Sequence, residues 1–211
     1  MVHSRLTAIL IAAGLLAAGP GAPFAFSGDS RTPSVEQSLG HEGVPEKFPE
    51  HPAVGSEAPD FRLRDADGRW IDLGEFLGRG YLILFFGSAS SGNFRRNAPE
   101  MARLAKRWER LEVRVVFVYT REAHPATLPE PPRSFSDRAA LARQVRKDLG
   151  PAIPVLVDEW DDQVHKQYGS MPDAAFLLDP GGTILFRQAR TGAGSLEKEL
   201  ARLLQVPEPP R

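Results

Sequence analysis

Ser91 occupies the position with the most chemical potential, at the junction of a predicted strand and a predicted helix. Residues 81–88 (YLILFFGS) form an apolar run typical of a buried strand, and residues 91–94 (SGNF) open a helix that carries Pro99 in its first turns. A side chain at a helix N-terminus faces unpaired N–H groups and the positive end of the helix dipole. Because this environment lowers the pKa of a cysteine thiol, the position suits a redox nucleophile.

The chain contains no cysteine, so a hydroxyl stands where redox chemistry would need a thiol. A serine hydroxyl is too weak an acid to ionise at a helix terminus, and it forms neither a disulfide nor a sulfenic acid. Two interpretations that involve function remain open for Ser91: an engineered Cys→Ser replacement, or a natural loss of the nucleophile. A structural interpretation is that Ser91 caps the helix, since serine is a preferred N-cap residue.

Length and composition indicate one globular domain with appendages. The chain has 211 residues, of which 42% are hydrophobic and 9% aromatic, which is ordinary for a globular protein. The formal net charge is -1, because 26 Lys and Arg residues are balanced by 27 Asp and Glu residues. This balance argues against a general nucleic-acid partner and against binding to anionic membranes.

The first quarter of the sequence differs from the rest. Residues 6–18 (LTAILIAAGLLAA) form an apolar run behind His3 and Arg5, which predicts a signal peptide over residues 1–25, or an uncleaved N-terminal anchor. Residues 26–53 are predicted to be a disordered linker rich in Pro and Gly, residues 54–205 the folded domain, and residues 206–211 a tail. An exported protein, periplasmic or secreted, is therefore expected, with a membrane tether if the N-terminus stays uncleaved.

Within the domain, the pattern predicts an α/β fold with a central mixed sheet flanked by helices. Two short strands, 61–64 and 69–73, form an N-terminal hairpin around the turn at 65–68. Ser195 is predicted to cap the last helix, and the acidic run 158–162 is predicted to be a solvated helix start. The remaining elements are strands at 81–87, 113–119, 153–157, 174–178 and 183–187, and helices at 91–110, 134–149, 160–168 and 196–205.

This layout resembles the thioredoxin-like fold, in its redoxin (AhpC-TSA-like) branch. Residues 54–61 (VGSEAPDF) resemble the G-x-x-A-P-D-F start of that branch. Residues 86–94 (FGSASSGNF), 118–125 (VYTREAHP) and 168–173 (YGSMPD) resemble segments of iodothyronine deiodinase-like proteins and their bacterial relatives. Those proteins have selenocysteine or cysteine where Ser91 stands, and Pro-Pro where this chain has Gly92 and Asn93. The resemblance implies a thioredoxin-like domain of oxidoreductase descent.

The resemblance also implies where the site residues lie. Ser91 takes the nucleophile position, and Glu122 and His124 face the mouth of the site, where His124 is a candidate general acid. These three are the candidate catalytic residues. Pro172 matches the position that is cis in thioredoxin folds, where it exposes backbone groups to a substrate strand. The candidate substrate-binding residues are Ser88, Gly92, Asn93, Phe94 and Pro172.

Other site chemistries have weaker support in the sequence. A hydrolase reading would use the serines at 88–91, but the G-x-S-x-G pattern of a nucleophile elbow lacks its first glycine around Ser90. Histidines 41, 51, 124 and 165 have no metal-ligand spacing, so we expect neither a metal nor another cofactor.

The sequence thus predicts an exported thioredoxin-fold protein that has no thiol redox turnover and binds a small molecule or a peptide in the former substrate cleft. The first alternative is a deiodinase-like or peroxiredoxin-like oxidoreductase whose nucleophile at position 91 was changed to serine. The second is an interaction domain of the cell envelope that uses the Pro-rich arm as a spacer. Membrane binding is expected only through the N-terminal signal or anchor.

Overall fold

The apolar runs predicted as buried strands form the centre of one seven-stranded mixed sheet. In the computed structural model, strand β3 (Leu82–Gly87) lies between β4 (Arg114–Tyr119), which is parallel to it, and β6 (Ala175–Leu178), which is antiparallel. The order across the sheet is β2-β1-β5-β4-β3-β6-β7. The other strands are β1 (Arg62–Asp65), β2 (Trp70–Asp72), β5 (Val155–Val157) and β7 (Ile184–Gln188). The predicted fold class and the N-terminal hairpin β1–β2 are confirmed.

Side chains of the central strands alternate between two cores, one on each face of the sheet. In β3, Ile83 and Phe85 point to one face, whereas Leu84 and Phe86 point to the other, and all four are at most 1% exposed. This alternation follows from the pleat of a strand, and an apolar residue at every position fits a sheet covered on both sides. Burying one such side chain contributes about 1.5–3 kcal/mol, so β3 is a major source of stability.

The two faces are covered unequally. The first face carries the three long helices, α1 (Gly92–Trp108), α2 (Phe135–Leu149) and α4 (Ala193–Leu204), whose apolar sides share one core. The second face carries the short helix α3 (Gln163–Gln167) together with the 3-10 turn at Leu73–Phe76. Helices on both faces were predicted, and the structure places nearly all of the helical mass on one of them.

Two predictions of helix starts were wrong. Helix α4 begins at Ala193 with Gly192 at the N-cap, so Ser195 lies inside its first turn and does not cap it. Helix α3 begins only at Gln163, because Asp162 has φ 58°, a left-handed conformation that a helix cannot continue through. The N-cap of α2 is Ser134, whose Oγ accepts a hydrogen bond from Asp137 N at 3.2 Å.

The structure describes residue 50 and residues 52–207. The predicted signal peptide over 1–25, nearly all of the predicted linker and the end of the predicted tail lie outside these residues. Pro52, predicted to belong to the linker, is buried, and its carbonyl accepts a hydrogen bond from Arg187 Nη1 at 2.5 Å. Val206, predicted to begin the tail, packs against the core of the first face. Pro52 and Val206, just outside the predicted 54–205, therefore also contact the domain.

Candidate functional site

Four segments meet at one edge of the sheet and form the candidate site. Because β3, β4 and β5 are parallel, the loops that follow them emerge at the same edge. Strand β6 runs antiparallel to β3, so the residues that precede it arrive at that edge as well. The segments are 88–91, 120–124, 158–162 and 171–174.

Ser91 is the N-cap of α1, as the structural interpretation of the sequence predicted. Its Oγ accepts a hydrogen bond from Phe94 N at 3.1 Å and donates one to Asp173 Oδ1 at 2.5 Å. The residue is only 2% exposed. The hydroxyl proton is therefore already committed to a carboxylate, and the oxygen is shielded from solvent.

Asp173 is the site residue that sequence reasoning missed. It is half-buried, and burial raises the pKa of its carboxyl, an effect opposed by the Ser91 hydroxyl and by the positive charges of Arg190, His124 and Arg96. Its carbonyl oxygen accepts hydrogen bonds from Thr191 N at 2.6 Å and Thr191 Oγ1 at 2.8 Å. The available signal was its place directly after Pro172, the residue already assigned to the site.

Glu122 does not reach Ser91 and instead holds the turn that precedes it. Its Oε2 accepts a hydrogen bond from Ser90 N at 2.8 Å, and its Oε1 accepts one from the Tyr119 hydroxyl. The same tyrosine oxygen accepts a hydrogen bond from Ala89 N at 3.2 Å. Burial, followed by the charge of Glu122, raises the pKa of Tyr119. Glu122 is thus a positioning residue for the 88–91 turn.

His124 lies at the exposed rim of the site. Its backbone N–H donates to Ser90 Oγ at 2.9 Å, and the neighbouring Ala123 N donates to Ser88 Oγ at 3.1 Å. Its imidazole is close enough to Asp173 for its charge to lower the pKa of that carboxyl. The structure therefore brings His124 to the mouth beside Asp173, while Ser88 and Ser90 fasten the two loops together.

These contacts also bear on the hydrolase alternative. The hydroxyls of Ser88 and Ser90 are occupied by backbone N–H groups, and that of Ser91 by the Asp173 carboxylate. A serine nucleophile needs its hydroxyl proton directed at a general base and its oxygen open to the substrate. At 2% exposure or less, these oxygens do not offer that access.

The remaining predicted binding residues separate into rim and core. Gly92 and Asn93 are partly exposed at the start of α1, and Asn93 Nδ2 donates to Thr191 O at 3.3 Å. Pro172 is partly exposed beside Asp173. Phe94 lies in the core, where its ring stacks on that of Phe117 with centroids 4.7 Å apart. The first three can contact a ligand at the mouth, and Phe94 supports the turn from below.

The acidic segment 158–162 is not the solvated helix start that was predicted. Asp158 is fully buried and accepts hydrogen bonds from Val164 N at 3.1 Å and His165 N at 2.9 Å, so it caps α3 from a distance in sequence. Asp162 is buried as well and pairs with the buried Arg138 of α2 at 2.9 Å. Burial raises the pKa of Asp158 to about 6, and it lowers the pKa of His165.

Residue 50 and residues 52–207 contain neither a metal-binding cluster nor a membrane-spanning helix. In this part of the chain, no group of three or more His, Cys, Asp or Glu side chains is placed to hold a metal ion. No helix among the same residues is long and apolar enough to cross a membrane.

Comparison with known proteins identifies relatives of this domain. The model of the AhpC/TSA family matches residues 54–187. The thiol-disulfide oxidoreductase ResA of Geobacillus thermodenitrificans is 31% identical over 133 residues, which are 63% of this chain and 67% of that protein. ResA of Bacillus subtilis is 28% identical over 132 residues, 62% of this chain and 64% of that protein.

Solved structures share the fold at lower identity. A thiol:disulfide interchange protein from Bacteroides sp. has a TM-score of 0.56 at 18% identity, over 72% of this chain and 91% of that one. A secreted disulfide oxidoreductase of Mycobacterium tuberculosis, homologous to E. coli DsbE, has a TM-score of 0.53 at 15% identity, over 67% of this chain and 95% of that one. At these identities the likeness concerns the fold alone.

Replacing Glu122 and replacing His124 should have very different effects on stability. In Glu122→Ala, Ser90 N and the Tyr119 hydroxyl lose a buried charged acceptor, so we expect the free energy of unfolding to fall by about 2–4 kcal/mol. His124→Ala removes an exposed side chain and should change it by no more than about 0.5 kcal/mol. Urea unfolding of both variants measures the difference, and equal losses would contradict the positioning role of Glu122.

Asp158 should make the protein more stable as the pH falls from 6 to 4. Its folded pKa, about 6, is above the ordinary value of 3.8, so the folded state binds the proton more tightly than the unfolded chain. This contribution is complete below pH 3.8, is lost as the pH rises to 6, and amounts to roughly 3 kcal/mol. The lowered pKa of His165 acts in the opposite direction below pH 6.5.

Comparison with Asp158→Asn isolates the carboxyl, because both proteins retain His165. Urea unfolding at pH 4, 5, 6 and 7 should show a difference in stability between the two proteins that changes with pH from 4 to 6 and is constant above 7. A difference that does not vary with pH would show that Asp158 titrates as in the unfolded chain.

Proposed function

The chain belongs to the AhpC/TSA family, and we propose that within it this protein binds a ligand at the former redox site without thiol turnover of its own. The observation that carries this proposal is the state of Ser91. Its hydroxyl accepts from Phe94 N, donates to Asp173 and is 2% exposed, so it acts as a helix cap.

The chemistry in the names of the relatives requires a group that this chain lacks. Thiol–disulfide exchange proceeds by attack of a thiolate on a disulfide sulfur, and the attacking sulfur becomes part of a mixed disulfide. No cysteine is present at any of the 211 positions. The chain by itself therefore cannot transfer electrons through a disulfide. The mouth around position 91 nevertheless keeps groups that can bind a ligand.

A small molecule or a peptide is the proposed ligand, and the rim residues support this. Gly92 and Asn93 lie partly exposed at the start of α1, and His124 and Pro172, in two other segments of the site, are exposed and partly exposed. Backbone and side-chain donors of this kind orient a ligand without reacting with it. The position of Pro172 beside Asp173 also suits contact with an extended peptide, provided that its preceding bond is cis as the resemblance implies.

We also propose descent from the deiodinase-like branch and export from the cytoplasm. The first is supported by residues 122–125 (EAHP), which follow β4 as a unit, and the second by the apolar run at 6–18. One structural relative is described as secreted, in keeping with export.

The mass of the protein recovered from a periplasmic or culture fraction tests export: cleavage should remove between 18 and 25 residues, and an intact cytoplasmic chain would contradict it.

A second candidate function is an oxidoreductase that has lost only its nucleophile. It is favoured by the placement of position 91, which follows β3, caps α1 and lies beside Asp173 and Pro172 at the common edge of the sheet. This placement is what a reactive thiol would need, except for the Asp173 carboxylate. Asp173 opposes it, because a carboxylate next to a thiol raises the pKa of the thiol.

The variant Ser91→Cys separates the two functions. We expect no reductase, peroxidase or dehalogenase turnover with dithiothreitol from the protein with Ser91, which has no thiol, or from Ser91→Cys, because Asp173 and burial keep the thiol protonated. Alkylation by iodoacetamide at pH 7 should be slow in Ser91→Cys and about tenfold faster in Ser91→Cys/Asp173→Asn. Ser195→Cys, an exposed thiol in the first turn of α4, is the matched control for intrinsic reactivity.

Either kind of turnover would change the conclusion. Turnover by Ser91→Cys alone would support the second candidate, a site complete except for its nucleophile. Turnover by the serine form itself would overturn the binding function, because it would require chemistry without sulfur at position 91.

A further inference from the structure

A group of buried, titratable or charged side chains lies at the start of α3. Its members, each at most 8% exposed, are Arg138, Asp158, Asp162 and His165. Three of them have defined partners, because Asp158 accepts hydrogen bonds from the first turn of α3 and Asp162 pairs with Arg138. The side chain of His165 is the one whose role neither the fold nor the proposed function explains.

The imidazole of His165 is buried without a hydrogen-bond partner. Its side chain is in a residue only 3% exposed, and among the described residues neither Nδ1 nor Nε2 has a partner. The backbone of the same residue is fully used: its N–H donates to Asp158 Oδ2 at 2.9 Å, and its carbonyl accepts from Ser170 N at 2.8 Å. Burying a polar group in this way costs free energy, and the cost rises steeply if the group is charged.

Charged groups from three other parts of the chain face this imidazole. Arg138 comes from α2, Arg121 from the segment after β4, and Asp162 from the segment before α3. The two arginines lie 2.9 and 3.8 Å from different carboxylate oxygens of Asp162. Burial, and then the charges of Arg121 and Arg138, lower the pKa of His165, whereas Asp162 and the Met171 carbonyl act in the opposite direction. The imidazole is therefore neutral at pH 7 in the folded protein.

A proton on this imidazole would add a charge that its surroundings do not compensate. An imidazolium has two N–H donors that point away from each other, so the Met171 carbonyl can accept only one of them. The Asp162 carboxylate is already paired with the buried guanidinium of Arg138. Water is the remaining partner for the second N–H, and it reaches His165 when α3 opens.

Helix α3 is poorly equipped to stay closed against such a charge. It has five residues, far fewer than an isolated helix needs for stability, and it begins after Asp162, which has a φ of 58°. It also joins two segments of the candidate site, 158–162 and 171–174. Movement of α3 therefore reaches Asp173, the partner of the Ser91 hydroxyl.

We propose that protonation of His165 opens α3 and loosens the 171–174 segment, so that acidification changes the mouth of the site. The step consists of one proton taken up from water by an imidazole nitrogen, and only an N–H bond is formed. This inference goes beyond the proposed binding function and does not depend on it, because it concerns the protein without a ligand.

Amide hydrogen exchange of the full chain, measured by NMR from pH 7 to pH 5, provides the test. Tyr168 N, which donates to Val164 O at 3.0 Å, reports on α3, and Thr191 N, which donates to Asp173 O at 2.6 Å, reports on the mouth. The quantity compared is the protection factor in His165→Gln divided by that in the unmodified protein.

This ratio should rise about tenfold at both amides as the pH falls from 6.5 to 5. Opening in the unmodified protein is coupled to the uptake of one proton, which changes its equilibrium by up to tenfold per pH unit, whereas glutamine takes up none. Both proteins retain Asp158, so the titration of that carboxyl cancels in the ratio. His165→Phe, which is also neutral, serves as a second variant if His165→Gln does not fold.

Two pairs of variants provide matched controls. His124→Ala removes an exposed imidazole and should leave the pH dependence of protection at Tyr168 N unchanged. Arg121→Gln removes an exposed charge that faces His165, so the Cε1–H resonance of His165 should titrate at a higher pH. Arg103→Gln, which breaks another exposed ion pair, should not move that titration.

The outcomes that would overturn the proposal are distinct. A ratio at Tyr168 N that does not vary with pH would overturn it, as would a His165 resonance that titrates at pH 6.5 or above. A ratio that changes at Tyr168 N but stays constant at Thr191 N would overturn the link between α3 and the mouth. None of these results bears on the turnover of Ser91→Cys, which tests the proposed function separately.

Discussion

The hydrogen bond from Ser91 to Asp173 joins residues that are 82 positions apart, and the geometry of the site depends on it. It ties the start of α1 to the start of β6. Asp173 extends the connection through its carbonyl oxygen, which binds Thr191 at the end of β7. Thr191 in turn accepts a hydrogen bond from Asn93, which closes a ring of contacts around the mouth. The start of α1, the residues before β6 and Thr191 are thus each held in place by hydrogen bonds to the other two.

The charge of the group at position 91 decides whether this arrangement is stable. A thiolate beside the Asp173 carboxylate would place two negative charges within hydrogen-bond distance, which is unfavourable at a half-buried site. A serine hydroxyl is neutral and donates a proton, so it turns the same carboxylate into a partner. Ser91 and Asp173 thus form a compatible pair, and the pair is incompatible with a low-pKa thiol. The family fold is retained here with an electrostatic environment that opposes a reactive thiolate at position 91.

Local patterns carried the sequence predictions that succeeded. The apolar runs of β3, β4 and β6, the hairpin turns and the cap at Ser91 are each decided by residues a few positions apart. The prediction of a solvated helix start at 158–162 was wrong because a solvated carboxylate and a buried one look alike in sequence. The Asp158 carboxylate is buried because the N–H groups of Val164 and His165 bind it, and the Asp162 carboxylate because Arg138, from a different helix, pairs with it. No local signal reports the contact with Arg138. Asp173 was missed for a related reason, since its partner is 82 positions away.

The segment after β4 illustrates why a motif predicts position better than role. Glu122 and His124 were assigned to chemistry because the motif matched as a unit. In the structure, three consecutive residues of that unit hold the 88–91 turn: Glu122 through Ser90 N, Ala123 through the Ser88 hydroxyl, and His124 through the Ser90 hydroxyl. Holding the 88–91 and 120–124 loops together requires the Glu122 carboxylate and correctly placed backbone N–H groups. This requirement does not depend on whether position 91 carries oxygen, sulfur or selenium. A motif with such a structural duty therefore remains useful to a chain without a redox-active sulfur, and its presence is no evidence for turnover.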